Sequence, residues 1–202
     1  MKKRRHGSGI YSEGELVMTG AVQLCHHFLR QQLHLGHRVV DATCGNGHDT
    51  IFLAELVGES GHVYAFDIQE TALARTAERL TAAGAAEQVT LLHAGHEELA
   101  RLVTAPVRGV VFNLGYLPGG DKGVITRPET TLASLEQAIS LVEVGGFIAI
   151  VLYPGHGGGD EESARVEEWC GALDRRQWVV WSMRRTNLAP TAPWLLLLEK
   201  QK

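Results

Sequence analysis

Short apolar runs alternate with segments of helical periodicity along nearly the whole chain. Between residues 15 and 35, Leu16, Val17, Val22, Leu24, Phe28 and Leu29 recur at a spacing that predicts an amphipathic helix. The run Arg38 to Ala42 predicts a first strand, followed by a Gly-rich turn and an apolar-periodic segment over 49–57. His62 to Asp67, Val89 to His93, Gly109 to Leu114 and Phe147 to Tyr153 read as further strands, and residues 69–83, 128–143 and 161–173 as helices. Pro128 stands where one helix should start, and Gly84 and the pair Gly145-Gly146 where two should stop. The stretches 177–183 and 194–200 complete the pattern as two strands, joined by a loop that carries Pro190 and Pro193. Strands separated by helices imply crossovers and a parallel sheet, whereas the last pair implies an antiparallel hairpin at one edge. The expected fold class is therefore α/β, a doubly wound sandwich on a mostly parallel seven-stranded sheet with a reversed final strand. Ligands of such sheets bind beyond the carboxyl ends of the strands, where strand order switches. The useful residues should follow the first four strands.

Composition narrows the class. With 202 residues, 45% of them hydrophobic and 21% charged, the chain suits one domain with a full core and is too apolar for disorder. Residues 12–202 are read as that domain and residues 1–11 as a basic tail. The longest aliphatic run, Leu195 to Leu198, is far below the ~20 residues of a membrane span. Three scattered cysteines, Cys25, Cys44 and Cys170, make neither a disulfide framework nor a four-ligand zinc site, so a reduced, cytoplasmic protein without a metal is expected. The net charge of −4 neither demands nor excludes nucleic acid. Lys2, Lys3, Arg4 and Arg5 form the obvious basic patch, either a solvated tail or an arm that touches RNA. No apolar segment follows them, which excludes a secretory signal.

The candidate chemistry lies at the strand ends. After the first strand comes Asp41-Ala-Thr43-Cys44-Gly45-Asn46-Gly47-His-Asp49-Thr50. Gly45 and Gly47 let the backbone approach a ligand just before a helix N-terminus. Thr50 occupies the place of the third glycine in a dinucleotide fingerprint, and an acid, Asp41, stands four residues before Gly45. The pattern looks like the first motif of class I methyltransferases, whose cofactor S-adenosyl-L-methionine (SAM) carries cationic groups instead of a pyrophosphate. Asp67, 22 residues after Gly45, can accept both ribose hydroxyls of an adenosine, with Ile68 and Gln69 beside it. After the third strand, His96 and Glu97 are candidates for the adenine, although Glu97 serves equally well as a helix-starting acid. After the fourth, Asn113-Leu114-Gly-Tyr116 shares its polar and aromatic ends with the Asp/Asn-Pro-Pro-Tyr/Phe signature of amino-directed methyltransferases. There an amide oxygen and a nearby backbone carbonyl hold an amine with its lone pair toward the methyl group. The neighbours Cys25, His26 and His27 read as one buried thiol with surface or core histidines, or as histidines entering the mouth of the site.

Three segments together, Asp41 to Thr50, Asn113 to Pro118 with Gly120-Asp121-Lys122, and Tyr153-Pro-Gly-His156, resemble the YtqB/MnmM family over about residues 15–200. Its members were long labelled rRNA methylases and include the tRNA 5-(aminomethyl)-2-thiouridine methyltransferase of many Gram-positive bacteria. The resemblance implies a Rossmann-like class I methyltransferase that uses SAM to methylate the aminomethyl group of a wobble uridine, with the tRNA anticodon arm as partner. Asn113 would then bind the amine, while Tyr116, Asp121 or His156 orients it or relays its proton. A homodimer is expected from size, since one small domain offers little surface to an anticodon arm, and the Trp-containing final strands offer a contact. Competing readings are a small-molecule N- or O-methyltransferase, a methyltransferase acting on another RNA site such as rRNA, and a nicotinamide-dependent oxidoreductase.

Overall fold

Each strand of the central sheet points its side chains alternately into two apolar layers, and that alternation decides where the helices dock. The computed structural model describes residues 20–104, 106–115, 117, 119, 125–155 and 157–202. Its elements run α1 (Ala21–Gln32), β1 (Arg38–Asp41), α2 (His48–Val57), β2 (His62–Asp67), α3 (Glu70–Ala83), β3 (Val89–His93), α4 (Leu99–Leu102) and β4 (Val107–Asn113). They continue as α5 (Pro128–Leu141), β5 (Val142–Leu152), α6 (Gly159–Gly171), β6 (Trp178–Met183) and β7 (Trp194–Lys200). The sheet order is β3-β2-β1-β4-β5-β7-β6. β1 pairs in parallel with both β2 and β4, so strand order reverses between β1 and β4. β7 is antiparallel to β5 and to β6, which makes it the one reversed strand of this sheet and leaves β6 on the edge.

Phe112, Ile148, Ile150, Leu196 and Leu198 face one layer, where Leu135 and Ala138 of α5 and Val166 and Cys170 of α6 cover them. Val111, Phe147, Ala149, Leu195 and Leu197 face the other, beneath Cys25 and Leu29 of α1, Leu53 and Ala54 of α2 and Leu80 of α3. The ring of Phe28 meets that of Phe147 edge-on at 5.2 Å, which seats α1 against β5. Among the described residues no helix is long and apolar enough to cross a membrane.

Most elements begin and end where hydrophobic spacing and Gly/Pro punctuation place them, with three differences. β4 starts at Val107, two residues earlier than the apolar run suggests. The short α4, preceded by a 3-10 turn at His96–Glu98, supplies the crossover from β3 and is too brief to leave a periodic signature. The third difference concerns Gly145-Gly146, which does not end α5. That helix stops at Leu141, and buried Val142 already pairs with Val107. Pairing resumes at Gly109 with Phe147, so β5 carries three extra residues in a bulge. Gly145 supplies its φ of +78°, and a Cβ on Gly146 would lie 2.5 Å from the Arg108 carbonyl oxygen.

Candidate active site

Beyond the carboxyl ends of the sheet, where strand order reverses, lies a cavity of about 820 Å³. Its floor is the loop between β1 and α2. Gly45 (φ +52°) and Gly47 (φ +79°) turn that loop, and a Cβ on Gly47 would meet the Thr76 side chain at 2.7 Å. The Thr76 hydroxyl donates to the Gly45 carbonyl, and the Cys44 N–H donates to the Phe66 carbonyl, which ties the loop to α3 and β2. Asp67 closes the other side. Its two carboxylate oxygens accept the N–H of Gly45 at 2.9 Å and of Gln69 at 2.8 Å. Each oxygen keeps a further lone pair for a pair of hydroxyls arriving from the cavity.

Asp41 lies beneath this floor rather than on it. Its carboxyl is buried, accepts from the Thr43 N–H and receives the Thr50 hydroxyl at 2.7 Å. Burial, reinforced by Asp49, pushes its pKa up to about 7, against the opposing pull of the Thr50 and Thr43 hydrogen bonds. Asp49 and Asp67 stand close to Asp41, so carboxyl groups converge on one glycine turn. That field repels a pyrophosphate and favours a cation.

Further along the wall, the His96 Nδ1 lies 3.3 Å from the Ala42 carbonyl and must carry the hydrogen there. The Nε2 is then an acceptor, and it is buried without a partner. Burial lowers the His96 pKa, with Glu97 opposing, so the ring stays neutral and the acceptor persists. His96 lines the same cavity as Asp67, while its Nε2 is sealed from that space.

β4 delivers Asn113 to the opposite side. Its N–H donates to the Thr43 hydroxyl at 2.8 Å, which locks β4 onto the loop, and its side-chain amide donates to Asp49 at 3.1 Å. Tyr153, at the end of β5, lines the same wall, and burial raises its pKa to about 12, so it remains a phenol. Beyond Asn113, Gly115 and Thr126 are joined twice, by Gly115 N–H to the Thr126 hydroxyl and by Thr126 N–H to the Gly115 carbonyl. The Thr126 hydroxyl in turn donates to buried Glu162, which also receives Thr131 at 2.7 Å.

Of the residues singled out in the sequence, Thr43, Cys44, Gly45, Asn46, Asp49, Asp67, Ile68, Gln69, His96, Glu97, Asn113 and Leu114 share this cavity wall. Asp41, Gly47 and Thr50 do not reach it and support the loop from below. Tyr116, Asp121 and His156 lie outside the described residues. The Cys44 thiol is pushed up by burial and by Asp41, which leaves it inert. Thr126, Arg127 and Thr130 also line the cavity, and no motif marks them. Among the described residues no three His, Cys, Asp or Glu side chains gather as metal ligands.

The model of a family described as "Putative rRNA methylase" matches residues 63–199. The chain belongs to this family. It is 39% identical over 192 residues to the chloroplastic tRNA (mnm(5)s(2)U34)-methyltransferase of Arabidopsis thaliana, covering 90% of this chain and 70% of that one. The fold matches a putative rRNA methylase of Clostridium thermocellum at a TM-score of 0.89 and 42% identity, over 92% of this chain and all (100%) of the other. A Streptococcus mutans methyltransferase solved in complex with SAH superposes at 0.81 with 39% identity, over 89% and 97% of the two chains. The chain is a SAM-dependent methyltransferase of the Rossmann-like class, with the mixed seven-stranded sheet of its relatives.

Proposed function

We propose that this enzyme methylates the exocyclic amine of 5-aminomethyl-(2-thio)uridine at the tRNA wobble position, giving 5-methylaminomethyl-(2-thio)uridine. The observation that carries the reading is the place of Asn113, a side-chain amide at the end of β4 on the wall that also holds Asp67 and His96. The name of the Arabidopsis thaliana relative supports the substrate. A cavity of about 820 Å³ has room for a cofactor and a nucleoside together.

SAM supplies a methyl group on a sulfonium cation. The enzyme's own residues hold and orient the partners and keep water out. In this reading Asp67 takes the ribose hydroxyls, His96, Glu97, Ile68 and Gln69 flank the adenine, and the carboxylates around Gly45 favour the cationic end. Asn113 accepts one N–H of the amine, which aims the nitrogen lone pair. An alkylammonium with a pKa near ~10 costs about 4 kcal/mol to deprotonate at neutral pH, an upper guide because the uracil ring lowers that pKa. Tyr116, Asp121 and His156 are assigned to orienting the amine and removing its proton. Residues 12–202 form the catalytic domain in this proposal and 1–11 a basic tail. The protein works in the cytoplasm as a homodimer across the β6 edge, where Trp181 is 53% exposed.

The test uses purified enzyme, methyl-labelled SAM and tRNA from cells arrested at 5-aminomethyl-2-thiouridine, with nucleoside mass spectrometry. One labelled methyl in 5-methylaminomethyl-2-thiouridine is expected, and Asn113→Ala should abolish it while SAM affinity holds. Label in rRNA or in no RNA would overturn the tRNA assignment and leave the methyltransferase class standing.

A further inference from the structure

Behind Asn113 runs a chain of side chains that no motif announces. The Asn113 amide nitrogen donates to one oxygen of Asp49 at 3.1 Å, and the other oxygen lies 2.7 Å from Nε2 of His26. Asp49 sits in the first turn of α2 and faces the cavity, whereas His26 sits on α1 and does not. The His26 ring stacks on Phe52 of α2, with centroids 4.0 Å apart and planes 17° from parallel. One turn earlier on α1, Val22 lines the cavity itself, so the same helix face meets both the ligand space and its support.

The chemistry of this chain is directional. A carboxylate only accepts hydrogen bonds, so the edge of Asn113 that faces Asp49 must be its NH₂. Its amide oxygen is thereby turned the other way, as the acceptor offered to an incoming N–H. An inverted amide would bring two acceptor oxygens to about 3 Å of each other, where they repel. Asp49 holds this orientation only while its own carboxylate is fixed, and the second oxygen is fixed by the His26 N–H. Stacking on Phe52 in turn fixes the imidazole plane. Tyr153, just after β5, also hydrogen-bonds the Asn113 side chain, so α1, α2, β4 and the end of β5 meet at one amide.

We propose that His26 is a positioning residue for methyl transfer, acting through Asp49 to keep the Asn113 oxygen directed at the substrate amine. The proposal rests on the amine-methylating reading above. It requires only an N–H donor at the position of Nε2, not a titrating group.

Three variants separate the possibilities. His26→Phe keeps the stack on Phe52 and removes the donor. His26→Gln restores an N–H of similar reach. His26→Ala removes both. Single-turnover methylation of the aminomethyl-bearing tRNA should slow roughly ten- to hundredfold in H26F and H26A, the scale of a misaligned reacting group. Affinities for SAM and tRNA should change less than about twofold, and H26Q should recover most of the rate. The Asn113 side-chain amide signal of the SAH-bound protein, assigned with N113D, should stay sharp in wild type and H26Q and broaden in H26F. An H26F rate equal to wild type, or an H26Q rate as low as H26F, overturns the proposal. If the wild-type enzyme leaves this tRNA unmethylated, the substrate reading fails instead. The amide signal then still decides whether His26 holds Asn113, and an unchanged signal in H26F would sink that claim.

Discussion

At the scale of single residues, Asp41 is the group most at odds with its surroundings. It is a carboxyl with 1% exposure, beneath the loop that leads into α2 and close to Asp49 and Asp67. Its folded pKa of about 7 lies well above the ordinary carboxylate value, so the folded protein holds this proton to higher pH than the unfolded chain does. The stability it contributes is therefore complete below about pH 4 and is lost as pH rises through about 7, with a slope of up to about 1.4 kcal/mol per pH unit between. Asp41→Asn mimics the protonated form, accepting from the Thr43 N–H and donating to the Thr50 hydroxyl. Urea unfolding of both proteins from pH 4 to 8 should show wild type losing ground to D41N by a few kcal/mol across that window, and no further above it. Parallel profiles would mean that Asp41 ionises freely inside the fold.

At the scale of elements, α6 is tied to the substrate side of the cavity through Glu162. This side chain, 2% exposed, receives the hydroxyls of Thr126 at 2.6 Å and Thr131 at 2.7 Å. Thr126 closes the neck of the loop after β4 on Gly115, and Thr131 belongs to the first turn of α5. Glu162→Ala leaves the buried Thr131 hydroxyl without its acceptor, at about 1–3 kcal/mol, while half-buried Thr126 keeps the Gly115 N–H. Thermal unfolding should report a loss of about 1–3 kcal/mol. Methyl transfer should fall while SAM affinity changes little, because Asp67 and the Gly45 turn hang on β1, β2 and α3. An unchanged melting temperature, or a loss of SAM binding equal to the loss of turnover, would contradict this division. None of this network was legible in the sequence. Glu162 reads as one of three acids opening a helix, and Thr126 as a residue in a polar loop, until α5 and α6 are packed side by side. For His26 the sequence offers only a place in the core, on the surface or at the mouth of the site, since its partner lies 23 residues away on another helix.

At the scale of the whole molecule, much more was legible, and for a physical reason. A doubly wound sheet converts position in sequence into position in space, so residues following β1, β2, β3 and β4 arrive at one crevice whatever their loops do in detail. Asp67 and Asn113 could be named from the sequence because they end strands, and His96 because it follows one closely; Gly145-Gly146 misled because a bulge and a helix stop use the same residues. Charge also belongs to this scale. Four of the 19 Lys and Arg residues lie at positions 2–5, so the remaining chain carries 15 basic against 23 acidic groups, a net of −8. A body of that sign repels a phosphate backbone, and the attraction an RNA substrate needs must come from local cations. Arg127, exposed at the cavity rim, is one. Lys2, Lys3, Arg4 and Arg5 are the largest cluster, and replacing all four with Ala should weaken tRNA binding roughly tenfold at low salt. Every phosphate that the tail no longer neutralises should reduce the slope of log affinity against log salt by about 0.7–0.9. Turnover at saturating tRNA and affinity for SAM should stay at wild-type levels, since neither depends on the long-range field. Filter binding between 50 and 200 mM salt, on the order of the range over which counterion release is read, decides it. Superimposable salt slopes would show that the tail is only solvated, and that the positive ground for RNA lies on the rim around Arg127.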